Sequence, residues 1–145
     1  MSGYDWEKIV LSTLKDQQNE KNTDYRYNPM QYTFYSIVNS SVGMDQGSYA
    51  AAIALSFKNI HNTVDDDEQK REFLEKWKET GEKIIVLKAC NQKHLKYLKR
   101  ELQYVALATH TLSQYYGTTC IALVLTVFGR QDNLHKWLDG LPVLK

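Results

Sequence analysis

The clearest arrangement of residues for binding chemistry lies in the segment that follows Asn91. It consists of Lys93, Lys96, Tyr97, Lys99, Arg100 and Tyr104, and we call it the basic-aromatic face. Lys93, Lys96 and Arg100 recur at i, i+3 and i+7, which aligns them along one side of a predicted helix. A nucleic-acid backbone binds cations repeated along a line, and an unstacked base binds an aromatic ring beside them. The face therefore predicts a nucleic-acid contact, with a solvated polar surface opposite the helix leucines as the alternative.

A second set of candidate binding residues surrounds the dipeptide Asn28-Pro29. This tyrosine cluster comprises Tyr25, Arg26, Tyr27, Tyr32 and Tyr35. Tyrosine joins a large apolar ring to a polar hydroxyl, and it is enriched at interfaces for that reason. The cluster predicts a surface for a protein or a planar ligand, or else a set of half-buried residues that closes a helix junction.

Local motifs for catalysis and for metal binding are missing from the sequence. It contains no glycine-rich phosphate loop, no Gly-x-Ser-x-Gly turn and no paired Cys-x-x-Cys. The four histidines are far apart, at His61, His94, His110 and His135. The acidic run Asp65–Glu68 lacks the alternating ligands of a calcium loop, and it predicts a solvated helix N-terminus instead. We therefore expect no catalytic residue, no metal ligand and no cofactor.

The elements that must position these residues are predicted to be helices. Glycine and proline are scarce, at 7 and 2 residues, which favours long helices over many tight turns. Asn28-Pro29 is a favoured helix start, and the residues from Gln92 to Tyr116 have the apolar spacing of a long amphipathic helix. The leading prediction is all-α: one compact domain over 1–145 of six to seven helices, with a mobile polar loop at 15–27.

Short apolar runs leave an α/β fold open as the alternative. The runs near 32–38, 84–89 and 120–128 are rich in β-branched and aromatic residues, which suits buried strands as well as buried helices. With these three strands the chain would form a three-layer or two-layer α/β sandwich.

The charge of the chain is segregated along the sequence. The total is +1, but residues 65–82 carry −4 and residues 83–101 carry +5 when their side chains are counted. The sequence leaves open whether the two segments pair with each other inside the fold or face outward.

Cysteine content and hydropathy bear on the compartment. Cys90 and Cys120 lie in apolar runs and predict two buried, reduced thiols rather than a disulfide. The apolar run 120–128 is too short to span a bilayer, and no leader segment is recognisable. We expect a cytoplasmic protein that does not bind membranes.

Three functions are compatible with these features. The leading hypothesis is a non-catalytic protein-interaction or regulatory subunit that acts in a complex or as an oligomer. The alternative is a small subunit that binds the backbone of RNA or single-stranded DNA through the basic-aromatic face. The third is a small enzyme with an unrecognised site.

Overall fold

A computed structural model describes residues 4–19 and 28–144. In chain order its regular elements are α1 (Trp6–Asn19), β1 (Tyr32–Asn39), a short 3-10 turn (Ser40–Val42), α2 (Gln46–Asp66), α3 (Arg71–Glu79), β2 (Ile84–Ala89), α4 (Gln92–Leu102), β3 (Ala108–Tyr116), β4 (Thr119–Arg130) and α5 (Gln131–Leu138). Within these described residues, no helix has the length and apolar character needed to cross a membrane.

The four strands form one mixed sheet in the order β2-β1-β4-β3. β1 and β2 are parallel, whereas β4 is antiparallel to both β1 and β3. Apolar residues of α1, α2 and α3 pack on one face of the sheet, and those of α4 and α5 pack on the other. The result is a three-layer α/β sandwich.

Helices on both faces explain why the central strands are buried along almost their whole length where they pair with each other. Along β1, Phe34 and Val38 belong to the core beneath α1, α2 and α3, whereas Tyr35 and Ile37 belong to the core beneath α4 and α5. Successive side chains of a strand point to opposite faces, so a strand covered on both sides has no solvated positions.

The leading prediction of an all-α bundle is therefore wrong, and the α/β alternative fits. The predicted strand at 84–89 coincides with β2, while those near 32–38 and 120–128 lie within β1 and β4. Their β-branched and aromatic residues pair across the sheet, which an isolated stretch of sequence does not reveal.

The predicted helix start at Asn28-Pro29 is a turn that leads into β1. The Asn28 side-chain oxygen accepts a hydrogen bond from the Met30 amide at 3.2 Å. The Asn28 carbonyl accepts another from the Gln31 amide at 3.1 Å. An asparagine side chain closes such turns as readily as it caps a helix, so the local signal was ambiguous.

The predicted helix at 92–116 is also shorter in the structure. α4 ends at Leu102, and after an irregular segment the chain continues as β3. Leu95, Leu98 and Leu102 are buried as the helical spacing requires. Beyond Leu102 the pattern changes to alternating threonine, leucine and tyrosine residues, which pair with β4.

The acidic run ends a helix rather than beginning one. Asp65 and Asp66 are the last residues of α2, and Asp67 is its C-terminal cap. Carboxylates are unfavourable at this end of a helix. Arg71 offsets them: its Nε donates to the Asp65 carbonyl at 2.8 Å.

Both cysteines are free and exposed, so the prediction that they are buried is wrong. Cys90 follows the end of β2, and Cys120 lies where the β3–β4 hairpin extends past β1. Both apolar runs thus end at the surface.

The edge of the sheet at β2 is covered by α1 and by the segment that contains Val143 and Leu144. Leu87 pairs with Val143 in an antiparallel bridge. From α1, Gln17 accepts from the Val86 amide at 2.9 Å and donates to the carbonyls of Val86 and Leu144 at 3.0 and 2.7 Å. One side chain thus satisfies backbone groups that an edge strand would otherwise expose. Residues 15–19 of the predicted loop are helical, and the remaining residues, 20–27, lie outside the described part.

Replacing Gln17 tests this closure of the edge. Gln17→Ala leaves the Val86 amide and the Leu144 carbonyl without their partner, whereas the Val86 carbonyl keeps its bond from the Leu144 amide at 3.0 Å. We therefore expect the free energy of unfolding to fall by about 1–3 kcal/mol. Gln18→Ala is the matched control, because Gln18 is exposed on the same helix. Denaturant unfolding of the two variants provides the comparison, and equal stabilities would contradict the role given to Gln17.

Candidate active site

Three polar residues form a row across the sheet inside the core beneath α2. Ser36 of β1 pairs with Thr126 of β4, and Thr126 pairs in turn with His110 of β3. Strand register thus places the three side by side. Ser36 and Thr126 are fully buried, and His110 is partly exposed at the edge strand.

Two residues of α2 complete the row into a network. Ser56 Oγ lies 2.6 Å from Thr126 Oγ1 and 3.2 Å from His110 Nδ1. Ser36 Oγ lies 3.4 Å from Thr126 Oγ1, and Asn59 Nδ2 lies 3.4 Å from His110 Nε2. Buried hydroxyls require such partners, so the network also sets the position of α2 over the sheet.

The network determines which nitrogen of His110 can accept a proton. An amide nitrogen can only donate, so the contact with Asn59 assigns the free electron pair of the imidazole to Nε2. Nδ1 then carries the hydrogen and donates it to Ser56 Oγ. Burial lowers the pKa of His110 below its ordinary value, and the positive charge of Lys99 lowers it further. His110 is therefore neutral at pH 7, and Nε2 is its basic nitrogen.

Ser56 holds the imidazole in place and does not act as a nucleophile. Its side chain has no exposed area, so a large substrate cannot reach its hydroxyl. His110 Nε2 can serve as a general base for a water molecule that takes the place of Asn59 Nδ2.

A groove with a mixed polar and apolar lining lies at the carboxyl end of β1. It has a volume of about 400 Å³ and is lined by Asn39, Ser41, Val42, Gln92, Tyr116 and Ile121. Asn39 Nδ2 donates to the Ala122 carbonyl and Gln92 Oε1 accepts from the Ala122 amide, both at 2.9 Å. These bonds tie the start of α4 and the end of β1 to β4.

A seam between α2 and the β3–β4 hairpin passes His110, and the groove lies further along the same hairpin. On β4 the groove and His110 are marked by Ile121 and Thr126, which are separated by roughly 16 Å at the usual rise of a strand. Ala52, Leu112 and Ile121 are partly buried apolar residues along this seam. In the described part of the chain, no group of three His, Cys, Asp or Glu side chains could hold a metal ion.

The basic-aromatic face lies on α4 and begins next to the groove. Lys93, Lys96, Lys99 and Arg100 are all exposed. The Arg100 guanidinium lies 5.5 Å from the centre of the Tyr97 ring. The sequence predicted Tyr104 on this helix, which is wrong. Tyr104 lies in the segment after α4, where its side chain is 79% exposed.

The acidic and basic segments do not neutralise each other through their helices. α3 packs on one face of the sheet and α4 on the other. Among the residues that the structure describes, no ion pair joins the two helices. The positive charge of α4 therefore faces outward.

The structure separates the described members of the tyrosine cluster. Tyr32 is half-buried and packs against Phe73 and Phe128, with ring centres 5.6 and 6.2 Å away. Tyr35 is fully buried on the opposite face of the sheet. The other members, at 25–27, lie outside the described residues.

Sequence reasoning missed the hydroxyl–imidazole network because its members are far apart in the chain. One signal was present: Ser36, Ser56 and Thr126 each interrupt an otherwise apolar run. A hydroxyl at such a position is buried and must find a polar partner.

The structure thus has a mixed sheet between two helical layers, with a neutral imidazole on its edge strand β3. Residues 32–143, about three quarters of the chain, match the family model of peptidyl-tRNA hydrolase PTH2. The chain belongs to this family. No curated protein matches the chain. α1 precedes the matched residues.

Family membership corrects the leading functional hypothesis. A non-catalytic protein-interaction or regulatory subunit is the wrong class, because the family is one of hydrolases. The hypothesis rested on the tyrosine cluster and on the segregated charge. Neither feature distinguishes a protein partner from a nucleic acid, and the nucleic-acid alternative agrees better with the family.

The buried network can be tested without a substrate. Thr126→Val keeps the shape of the side chain but leaves Ser36 Oγ without its partner and Ser56 Oγ with His110 alone. We expect the free energy of unfolding to fall by about 1–3 kcal/mol. Thr118→Val is the control, because Thr118 is exposed in the β3–β4 turn. A Thr126→Val variant as stable as the control would contradict the network.

Proposed function

We propose that this chain hydrolyses the ester bond that joins a peptide to the 3′ end of a tRNA. The observation that carries the proposal is the match of residues 32–143 to the peptidyl-tRNA hydrolase PTH2 family. The position of His110 supports it, because ester hydrolysis needs a neutral base beside a surface that a large substrate can reach.

We assign to His110 the role of general base. In the proposed reaction a water molecule takes the place of Asn59 Nδ2 beside Nε2. Nε2 then removes a proton from this water while the water oxygen bonds to the ester carbonyl carbon. The tetrahedral intermediate then expels the ribose oxygen, which takes the proton back from the imidazolium. The products are a peptide with a free carboxyl group and a tRNA with a free 3′-hydroxyl. Ser56 and Thr126 act as positioning residues that hold the reactive tautomer.

We assign the tRNA backbone to the basic-aromatic face. Its four cations are exposed on one helix and are not paired with α3. The phosphates of an RNA backbone bind such a line of positive charge independently of the base sequence of the RNA. This property suits an enzyme that must accept many tRNAs. A cytoplasmic location and the absence of a cofactor remain part of the proposal, and binding by the tyrosine cluster remains a prediction.

Replacing His110 tests the assigned base. His110→Gln should lower kcat/KM for an N-acetylaminoacyl-tRNA about 10²–10⁴-fold. In the unmodified chain, kcat/KM should be constant at neutral pH and should fall as the pH drops through the pKa of His110, which lies below 6.5. The base must be unprotonated, so activity is lost on the acid side.

His135→Gln is the control for this experiment, because His135 lies on α5 in the other helical layer. Unchanged activity of His110→Gln would overturn the role of His110 alone. Failure of the unmodified chain to release the amino acid would overturn the proposed activity.

Reversing charge on α4 tests the assigned backbone contact. The double variant Lys96→Glu with Arg100→Glu should weaken tRNA binding. It should also make the negative slope of log affinity against log salt shallower by about two. Lys8→Glu with Lys15→Glu makes the same change of charge on exposed positions of α1. Filter binding at several salt concentrations compares the pairs, and equal losses would count against a specific contact with α4.

A further inference from the structure

We propose that a cleft between α1 and α2 binds a short basic peptide segment of a partner protein. The inference goes beyond the proposed function and does not depend on it. The start of α1 forms one wall of the cleft and precedes the residues that match the family. The lining residues that carry the argument are Tyr4, Trp6, Leu55, His61, Asp65 and Asp66.

The inner wall of the cleft contains buried polar groups without a partner. His61 is 4% exposed and Trp6 is 5% exposed, and both side chains line the cleft. Within the described residues, neither the two ring nitrogens of His61 nor Trp6 Nε1 makes a hydrogen bond. Such groups are uncommon in folded proteins, because each is costly when it lacks a partner. A bound ligand can supply the missing partners.

The unpartnered groups match the backbone of a peptide. Burial lowers the pKa of His61, so its imidazole is neutral at pH 7 and has one donor nitrogen and one acceptor nitrogen. Trp6 Nε1 adds a second donor. A peptide backbone offers both carbonyl oxygens and N–H groups, whereas a protonated polyamine has no acceptor. The inner wall therefore favours a peptide over a simple organic cation.

The ring of Tyr4 covers these groups. Its centre lies 5.0 Å from that of the Trp6 ring and 5.1 Å from that of the His61 ring. Tyr4 is itself partly exposed and precedes the first residue of α1. A peptide reaches His61 by displacing this ring.

The charge of the cleft favours a basic segment. Carboxylates outnumber cations among its lining side chains, which are Asp5, Glu7, Asp65, Asp66, Lys58 and Lys78. Lys78 is already paired with Glu75, at 3.4 Å. Asp66 forms no ion pair in the described part of the chain, and it lies at the end of α2, where the helix dipole is also negative. A lysine or arginine of the partner would offset this charge.

The size of the cleft indicates the length of the segment. Leu55 is 47% exposed and lies ten positions before Asp65 in α2, a distance of roughly 15 Å along a helix. An extended chain spans this distance with about four or five residues. The volume of about 1190 Å³ is also larger than that of most small-molecule sites. We therefore expect the segment to carry an apolar residue about four or five positions from a basic one.

A synthetic peptide tests the cleft directly. The probe is a capped, fluorescently labelled peptide of about ten residues, with one leucine near its start, arginines in its second half, and glycine and serine elsewhere. Glu7→Gln with Asp66→Asn should weaken binding about 3- to 20-fold, because two carboxylates that face the arginines are lost. Lys58→Glu should tighten binding, because a repelling cation becomes a carboxylate. Fluorescence anisotropy at low salt measures both effects.

Asp16→Asn with Glu79→Gln is the matched control. It removes the same two charges from exposed positions on α1 and α3 that do not line the cleft. This pair should change the affinity by less than about twofold. A peptide with glutamates in place of the arginines should not bind to the unmodified chain.

His61→Phe separates the binding role of His61 from a packing role. The change removes two nitrogens that have no partner and keeps a ring against Trp6 and Trp77. The Tm should therefore be unchanged or higher, whereas peptide binding should weaken about 5- to 100-fold. Unchanged affinity in this variant would exclude the hydrogen bonds assigned to His61.

Three further results would overturn the proposal. The first is that the unmodified chain does not bind the arginine peptide, and the second is that the cleft pair and the control pair lose affinity equally. The third is that equimolar spermidine displaces the peptide fully, which would assign the cleft to free organic cations. The hydrolysis assay with acylated tRNA decides the proposed activity separately.

Discussion

The register of β1, β4 and β3 is the constraint on which the site depends. It places Ser36, Thr126 and His110 in one row beneath α2, where two buried hydroxyls would be costly without partners. Ser56 provides the contact that joins this row to the helix. A shift of one residue between the strands would turn the polar side chains to the other face and separate them. The strand register therefore determines both the position of α2 on the sheet and the orientation of the His110 imidazole.

The sheet also divides the surface of the molecule by charge. α3, with its excess of carboxylates, and α4, with its lysines and arginine, pack on opposite faces. Exposed ion pairs would have contributed little to stability. Keeping the helices apart instead leaves the cations of α4 exposed, so the near-neutral total charge conceals a local positive surface.

Local patterns predicted some elements well and others poorly. The run at 84–89 coincides with β2, which follows the left-handed Gly81 and precedes Asn91, the N-cap of α4. Asn28-Pro29 was misleading because one asparagine oxygen can close a turn or cap a helix, and only the neighbouring strands decide between them. The helical spacing of the leucines on α4 was genuine as far as Leu102. Most of the remaining residues of the predicted helix form β3 instead, because their backbone groups make hydrogen bonds with β4.

The sequence by itself determined that Lys93, Lys96 and Arg100 lie along one side of α4, because neighbours three and four residues apart are brought together by the helix alone. It also determined which runs are buried, since apolar content does not depend on the partner. Only the tertiary structure decided that His110 meets Ser56, which is 54 residues away. It likewise decided that Tyr116 faces a groove while Tyr115 does not. These contacts arise from strand pairing and layer packing, which bring distant residues together without leaving a local pattern in the chain.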